Sequence, residues 1–171
     1  MGLYKLTIKI GDFEIDAIFF DFDGIFTDNK VWTSTNGEEF VACSKSDSLG
    51  LDEFRKFLTD KDLVLRLALI SKETNSVVNF RAKKLKLESF TGVDNKADFI
   101  QNSCKISPRK YVFFGNDTND VEAMRNAAFS LSPRDAHSEA AQVASFLGKR
   151  GGGDGFVREG LEYIQSLIRS R

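Results

Sequence analysis

Two aspartates two residues apart, Asp21 and Asp23, end an apolar run and precede a glycine in the stretch Phe19-Phe20-Asp21-Phe22-Asp23-Gly24-Ile25-Phe26-Thr27-Asp28. Carboxylates crowded at the end of a buried strand repel by about 4 kcal/mol at 4 Å in an effective dielectric of 20, so they call for a cation or a shared proton. Hard oxygen donors of this kind favour Mg²⁺. Asp-Phe-Asp-Gly is also a good turn former, which leaves a plain turn as the competing reading. A second acidic run, Gly115-Asn116-Asp117-Thr118-Asn119-Asp120, follows Phe113-Phe114 and precedes a helical stretch with Val121, Met124 and Arg125. Asp117 or Asp120 is suited to cap that helix. Capping alone does not account for two acid-bearing strand ends in one sheet.

Two further residues complete the set. Ser71 follows the apolar run that ends at Ile70, where a hydroxyl and nearby amides can meet a phosphate at a helix start or simply form an N-cap. Lys96 opens a helix after Gly92-Val93-Asp94-Asn95 and can bring a positive charge to the same crevice, or stand as a surface lysine.

These residues need a scaffold that gathers strand ends. Short apolar runs at Ile15 to Phe20, Leu63 to Ile70, Tyr111 to Phe114 and Ala127 to Leu131 alternate with helical spacing over Asn75 to Leu85 and Lys96 to Lys105. That alternation predicts an α/β fold, a three-layer Rossmann-like parallel sheet whose strand ends open onto a ligand crevice. Asn36-Gly37 between extended runs predicts a β-hairpin insertion over 30–42 after the first strand. Alternation over 1–14 predicts an extra N-terminal edge strand, and Gly151-Gly152-Gly153 a mobile segment before a final helix from about Val157 to Ile168. The whole of 1–171 reads as one domain, with 149–171 its Gly-rich segment and C-terminal helix.

Composition narrows the function. Lys and Arg number 24 against 25 Asp and Glu, a net charge of −1, which lacks the basic footprint of a general nucleic-acid binder. The chain is 42% hydrophobic with 16 Phe, too apolar for disorder, yet no apolar run approaches the roughly 18 residues of a membrane span. Cys43 and Cys104 lack metal-ligand spacing and suit reduced thiols, and the lone His137 reads as a surface helix residue. Met1 to Lys5 carry no sustained apolar stretch or cleavage site, and Leu6 stands where a myristoylation signal wants Ser or Thr, so a cytoplasmic location is expected.

In order and spacing, Asp21-Phe22-Asp23-Gly24 with Thr27-Asp28, then Ser71, Lys96 and Gly115 to Asp120, resemble the four motifs of the haloacid dehalogenase superfamily of phosphatases. Over about Asp16 to Ile164 the chain is similar to the 3-deoxy-octulosonate 8-phosphate and 3-deoxy-nonulosonate 9-phosphate phosphatases, and to the C-terminal domain of acylneuraminate cytidylyltransferases. The resemblance implies a Mg²⁺-dependent phosphoric monoester hydrolase. Asp21 would be the nucleophile, Asp23 the acid and base that also reaches the metal through its carbonyl, and Ser71 and Lys96 the grip on the phosphate. Asp21, Asp23, Asn116, Asp117 and Asp120 are the candidate metal ligands.

The chain departs from the family pattern in two places. The fourth motif usually begins Gly-Asp, where this chain has Asn116, an oxygen donor without charge. The second reads Ser71-Lys72-Glu73 where the octulosonate enzymes carry Thr-Gly-Arg. Glu73 and Lys84 match the nonulosonate subgroup, which favours a nine-carbon 9-phosphate over an eight-carbon 8-phosphate. Arg81 and Lys84 share a helix face and are placed as contacts for a sugar acid, or belong to a solvated face with Lys83 and Lys86. Lys45, Asp47 and Arg158 are further candidate substrate contacts by resemblance. No stretch is long enough for a cap domain, so closure is expected from a homotetramer whose hairpins and Gly-rich tails complete one another's sites. A small phosphorylated sugar acid is the expected partner, with no nucleic acid and no membrane. The alternative is a weakly active oligomerisation domain fused to, or partnered with, a cytidylyltransferase.

Overall fold

The structure, a computed structural model, describes residues 8–169. Its centre is a parallel six-stranded sheet. The chain enters it at β3 (Ala17–Phe20), after a small hairpin made of β1 (Ile8–Ile10) and β2 (Phe13–Ile15). A second hairpin, β4 (Trp32–Thr33) and β5 (Glu39–Phe40), precedes α1 (Lys45–Asp60). Then come β6 (Arg66–Ile70), α2 (Ser76–Lys84), β7 (Glu88–Phe90), α3 (Lys96–Asn102) and β8 (Tyr111–Phe114). A 3₁₀ turn at Thr118–Asp120 leads to α4 (Val121–Asn126), β9 (Phe129–Ser132), α5 (Ser138–Val143), β10 (Phe146–Leu147) and α6 (Phe156–Arg169).

The sheet order is β10-β9-β8-β3-β6-β7, with every pairing parallel. From β3 the chain winds outward through β6 and β7, then crosses back to build β8, β9 and β10 on the other side. The winding therefore reverses at β3, and a crevice must open at the carboxyl ends of β3, β6 and β8. Side chains along β3 point alternately to two buried layers. Ile18 and Phe20 pack with α1, α2 and α6, while Ala17 and Phe19 pack with α3, α4 and α5. Both faces being covered explains why β3 and β8 are apolar without interruption.

Two expectations change here. Residues 1–7 of the proposed edge strand lie outside the described residues. The described part is an antiparallel hairpin that turns at Gly11 (φ 61°) and buries Ile8 and Ile10, and it is not an edge of the main sheet. The triglycine segment is not a free tether either. Gly151 and Gly152 are buried, the Gly153 amide donates to the Ile25 carbonyl at 3.0 Å, and a Cβ on Gly152 would collide with the Gly24 carbonyl. Glycine is used there for close approach of two backbones rather than for reach.

Candidate active site

The three central strands deliver their last residues to one point. Asp21 follows β3, Ser71 follows β6, and Gly115-Asn116 follow β8; the Asp21 amide donates to the Phe114 carbonyl at 2.9 Å, which locks the first and third together. Lys96, at the first turn of α3, is 1% exposed and lies 2.6 Å from Asp21 Oδ1 and 2.6 Å from Asp120 Oδ1. A buried ammonium between two carboxylates is tolerated because each desolvated charge has a partner. Burial alone would lower the Lys96 pKa, but Asp21 and Asp120 outweigh it and hold the side chain charged. Burial, then the nearby Asp120 charge, pushes the Asp21 carboxyl up to about 7, against the pull of Lys96.

Asp23 sits at the mouth, half-buried, with Thr27 Oγ1 donating to its Oδ1 at 3.4 Å. Thr27 is wholly buried and also accepts from the Gly24 and Asn29 amides, so it ties the loop after β3 into one conformation. Burial first and the facing Glu73 second raise the Asp23 pKa. A carboxyl whose hold on its proton is raised in this way is suited to give and take a proton. Together Asp23, Glu73, Asn29, Glu39 and Asn75 line a cavity of about 240 Å³ under the β4–β5 hairpin. The Asn75 amide donates to Glu39 Oε2 at 3.0 Å, which joins that hairpin to the start of α2 over the mouth. A larger open groove of about 720 Å³ between α1 and α6 bears none of these carboxylates.

Asn116 is 5% exposed, and its Oδ1 is buried without a hydrogen-bond partner among the described residues. Its main chain is held on both sides, the amide by Asp120 Oδ2 at 2.9 Å and the carbonyl by the His137 amide at 2.8 Å. Gly24 (φ 76°) lies against it so closely that a Cβ there would collide with the Asn116 amide. An orphaned buried acceptor just after β8, the strand paired with the one that leads into Asp21, is the chemistry a hard cation needs. No group of three or more His, Cys, Asp or Glu side chains forms a metal cluster among the described residues.

Several predicted site residues have other duties. Both oxygens of Asp120 are engaged within the chain: Lys96 takes one, and the Asn116 and Asp117 amides donate to the other. Asp117 caps the 3₁₀ turn, its Oδ1 accepting from the Thr118 amide at 2.7 Å. Asp47 is buried at the start of α1, where its Oδ1 accepts from the Arg158 amide at 3.1 Å and fastens the start of α6. Burial lifts its carboxyl to about 6, against the pull of the Arg158, Gly155 and Val157 amides. The Arg158 side chain turns to Glu53 and Glu162, and not to the crevice. Arg81 donates to the Ser44 carbonyl and to Ser48 Oγ at 2.8 Å, bracing α2 against α1. Lys84 is exposed nine residues beyond the α2 cap, Asn75, about 13 Å along the axis from the mouth. Lys45 is exposed on the first turn of α1. His137 proves to be the N-cap of α5, its Nδ1 accepting from the Glu139 amide. Sequence reasoning missed the part of Thr27 as the support of Asp23. The only signal was a hydroxyl four residues on from a carboxylate, which is common in loops.

No family model matches the chain. The N-acylneuraminate cytidylyltransferase of Oncorhynchus mykiss is 28% identical over 153 residues, 84% of this chain and 34% of that protein. The chain thus spans about a third of the length of the cytidylyltransferases it matches. The 3-deoxy-D-manno-octulosonate 8-phosphate phosphatase of Escherichia coli is 27% identical over 150 residues, 85% of this chain and 76% of that one. Among solved structures, the same phosphatase from Moraxella catarrhalis, in complex with magnesium, phosphate and the octulosonate sugar, superposes with a TM-score of 0.80 at 27% identity, covering 91% of this chain and 88% of that one. A HAD family hydrolase from Streptomyces avermitilis superposes with a TM-score of 0.78 at 32% identity, over 96% of this chain and 88% of the other. With a sheet that reverses at β3 and the carboxylate–lysine cluster at that reversal, this likeness over nearly the whole of both chains makes the protein a member of the haloacid dehalogenase (HAD) hydrolase family.

Proposed function

We propose that this chain is a Mg²⁺-dependent phosphatase that releases inorganic phosphate from a 3-deoxy-2-ulosonate phosphate. The observation that carries the reading is Lys96, buried within 2.6 Å of Asp21 at the carboxyl end of the central strand, with Ser71 ending the neighbouring strand. Asp21 attacks phosphorus as the P–O bond to the sugar breaks, and Asp23 gives its proton to the departing alkoxide. Water then attacks the aspartyl-phosphate, Asp23 takes back a proton, and phosphate leaves with Asp21 regenerated. Lys96 and the Ser71 hydroxyl hold the phosphoryl oxygens as charge spreads over them. Asp21, the Asn116 amide oxygen and the main chain at Asp23 would hold the Mg²⁺, which when bound neutralises charge on the phosphoryl group.

The preference for a nine-carbon 9-phosphate over an eight-carbon 8-phosphate now rests on Glu73 at the mouth, because Lys84 stands far from it. We also infer that the apolar side chains left outside on the hairpin region, Val31, Trp32 and Phe40, pack against further copies in a homotetramer that closes the mouth. The Gly-rich segment packs on its own β3 loop, so we assign that closure to the hairpin region. No helix of the described residues is long and apolar enough to cross a membrane.

The direct test is phosphate release from eight- and nine-carbon ulosonate phosphates by the metal-loaded protein. Turnover of either supports the activity, and faster turnover of the nine-carbon ester supports the chain-length preference. Folded, Mg²⁺-saturated protein that turns over neither ester would remove the proposal.

A further inference from the structure

The charges around Asn116 leave a shortfall. Asp21 and Asp120 share one ammonium, Lys96, so the buried trio carries at most one net negative charge. Asn116 adds a donor atom, its orphaned Oδ1, and no charge. Neither neighbouring acid makes up the difference: Asp120 is held by Lys96 and two main-chain amides, and Asp117 caps the 3₁₀ turn. A hard divalent cation binds in proportion to the anionic oxygens that meet it. The phosphoryl group brought by the ligand adds anionic oxygen to the crevice beyond what Asp23 and Glu73 supply at its mouth.

We propose, on the phosphatase reading above, that Asn116 makes the resting protein hold its divalent cation weakly, so that cation and phosphate group load together, each raising the other's affinity. Reciprocity is required, because the factor by which phosphate tightens the metal is the factor by which the metal tightens phosphate. The amide suits this role sterically, since it is packed against Gly24 and its main chain is fixed at both ends, so an aspartate of the same shape fits in its place.

The experiment is calorimetric titration of the metal-free full chain with Mg²⁺ alone, inorganic phosphate alone, and Mg²⁺ at saturating phosphate, for the wild type and Asn116→Asp. In the wild type, phosphate should lower the Mg²⁺ Kd at least tenfold. In the variant, Mg²⁺ alone should bind at least tenfold more tightly than in the wild type, while phosphate alone binds more weakly. Those opposite signs separate a charge effect from damage to the site, which would weaken both. Equal Mg²⁺ affinity in the wild type with and without phosphate, or no tightening in Asn116→Asp, overturns the inference and leaves the phosphatase reading standing. Absence of Mg²⁺ binding in the wild type even with phosphate overturns that reading itself. If the variant does not fold, the two wild-type titrations still decide.

Discussion

Asp21 and Asp47 are both buried carboxylates whose pKa is raised chiefly by burial, yet their surroundings answer them in different ways. Asp21 meets a side-chain ammonium, Lys96, at a crevice where three strands end. Asp47 meets main-chain amides at the start of α6, where it joins α1 to the C-terminal helix. Desolvation is common to both. What separates chemistry from architecture is whether the partner is a charged side chain gathered with it at the strand ends or a backbone that would otherwise be left unsatisfied.

The largest effect that tests this contrast is on turnover. Asp21→Asn should lower ulosonate-phosphate turnover by at least about 10⁴-fold while circular dichroism stays unchanged. Asp47→Asn, which keeps an acceptor for the Arg158 amide, should stay within a few-fold of wild type. Equal losses in the two would erase the distinction.

Stability should part the same two regions. Lys96→Met leaves Asp21 and Asp120 buried without a cation and should cost on the order of 3–5 kcal/mol in urea unfolding. Arg158→Ala removes exposed pairs with Glu53 and Glu162 and the part of its stem that packs on Gly50, and should move the midpoint far less.

A smaller effect sharpens the place of the Gly-rich segment. Gly152→Ala drives a Cβ into the Gly24 carbonyl and should cost about 1–3 kcal/mol, with a fall in turnover because Gly24 positions Asn116. Gly37→Ala at the open hairpin turn has no neighbour within 4 Å. It should cost about 1–2 kcal/mol for its positive φ alone, with turnover unchanged.

A further expected effect is the pH dependence of Asp47. Its carboxyl titrates near 3.8 in the unfolded chain and near 6 in the fold, so the native state binds that proton more tightly. The stability contributed by the neutral form is therefore complete below about pH 4 and lost as pH rises through about 6. Thermal melts between pH 4 and 7 should show a shallower slope in Asp47→Asn than in wild type. An unchanged slope would mean that the carboxyl stays ionised across that range and serves as an ordinary anionic cap.

Much of this was legible in the chain itself. Tyr111 to Phe114 is an unbroken apolar run bounded by Lys110 and Gly115, and it is β8 residue for residue. Longer runs were read too generously. Ile15 pairs with Ile8 in the N-terminal hairpin, and the Leu63 amide closes onto the Leu58 carbonyl at the end of α1, so β3 and β6 begin later than their apolar stretches. Hydrophobicity reports burial, and a buried residue need not lie in the sheet. The candidate contacts Asp47, Arg81 and Arg158 have partners that the sequence does not announce, because a charged residue near a motif in sequence can also join helices.

The sequence by itself determined which atoms are available: two carboxylates after one strand, a hydroxyl after a second, an amide in place of an acid after a third, and a lysine at a helix start. Period-two and period-3.6 patterns were enough to put each on its element, since they follow from local backbone geometry. Only the tertiary structure decided which acids remain free. Asp120 is taken by Lys96 from 24 residues away, and Asp47 by the Arg158 amide from 111 residues away. Such pairings arise when the sheet closes and desolvates them, and no local pattern records which partner a buried charge will find.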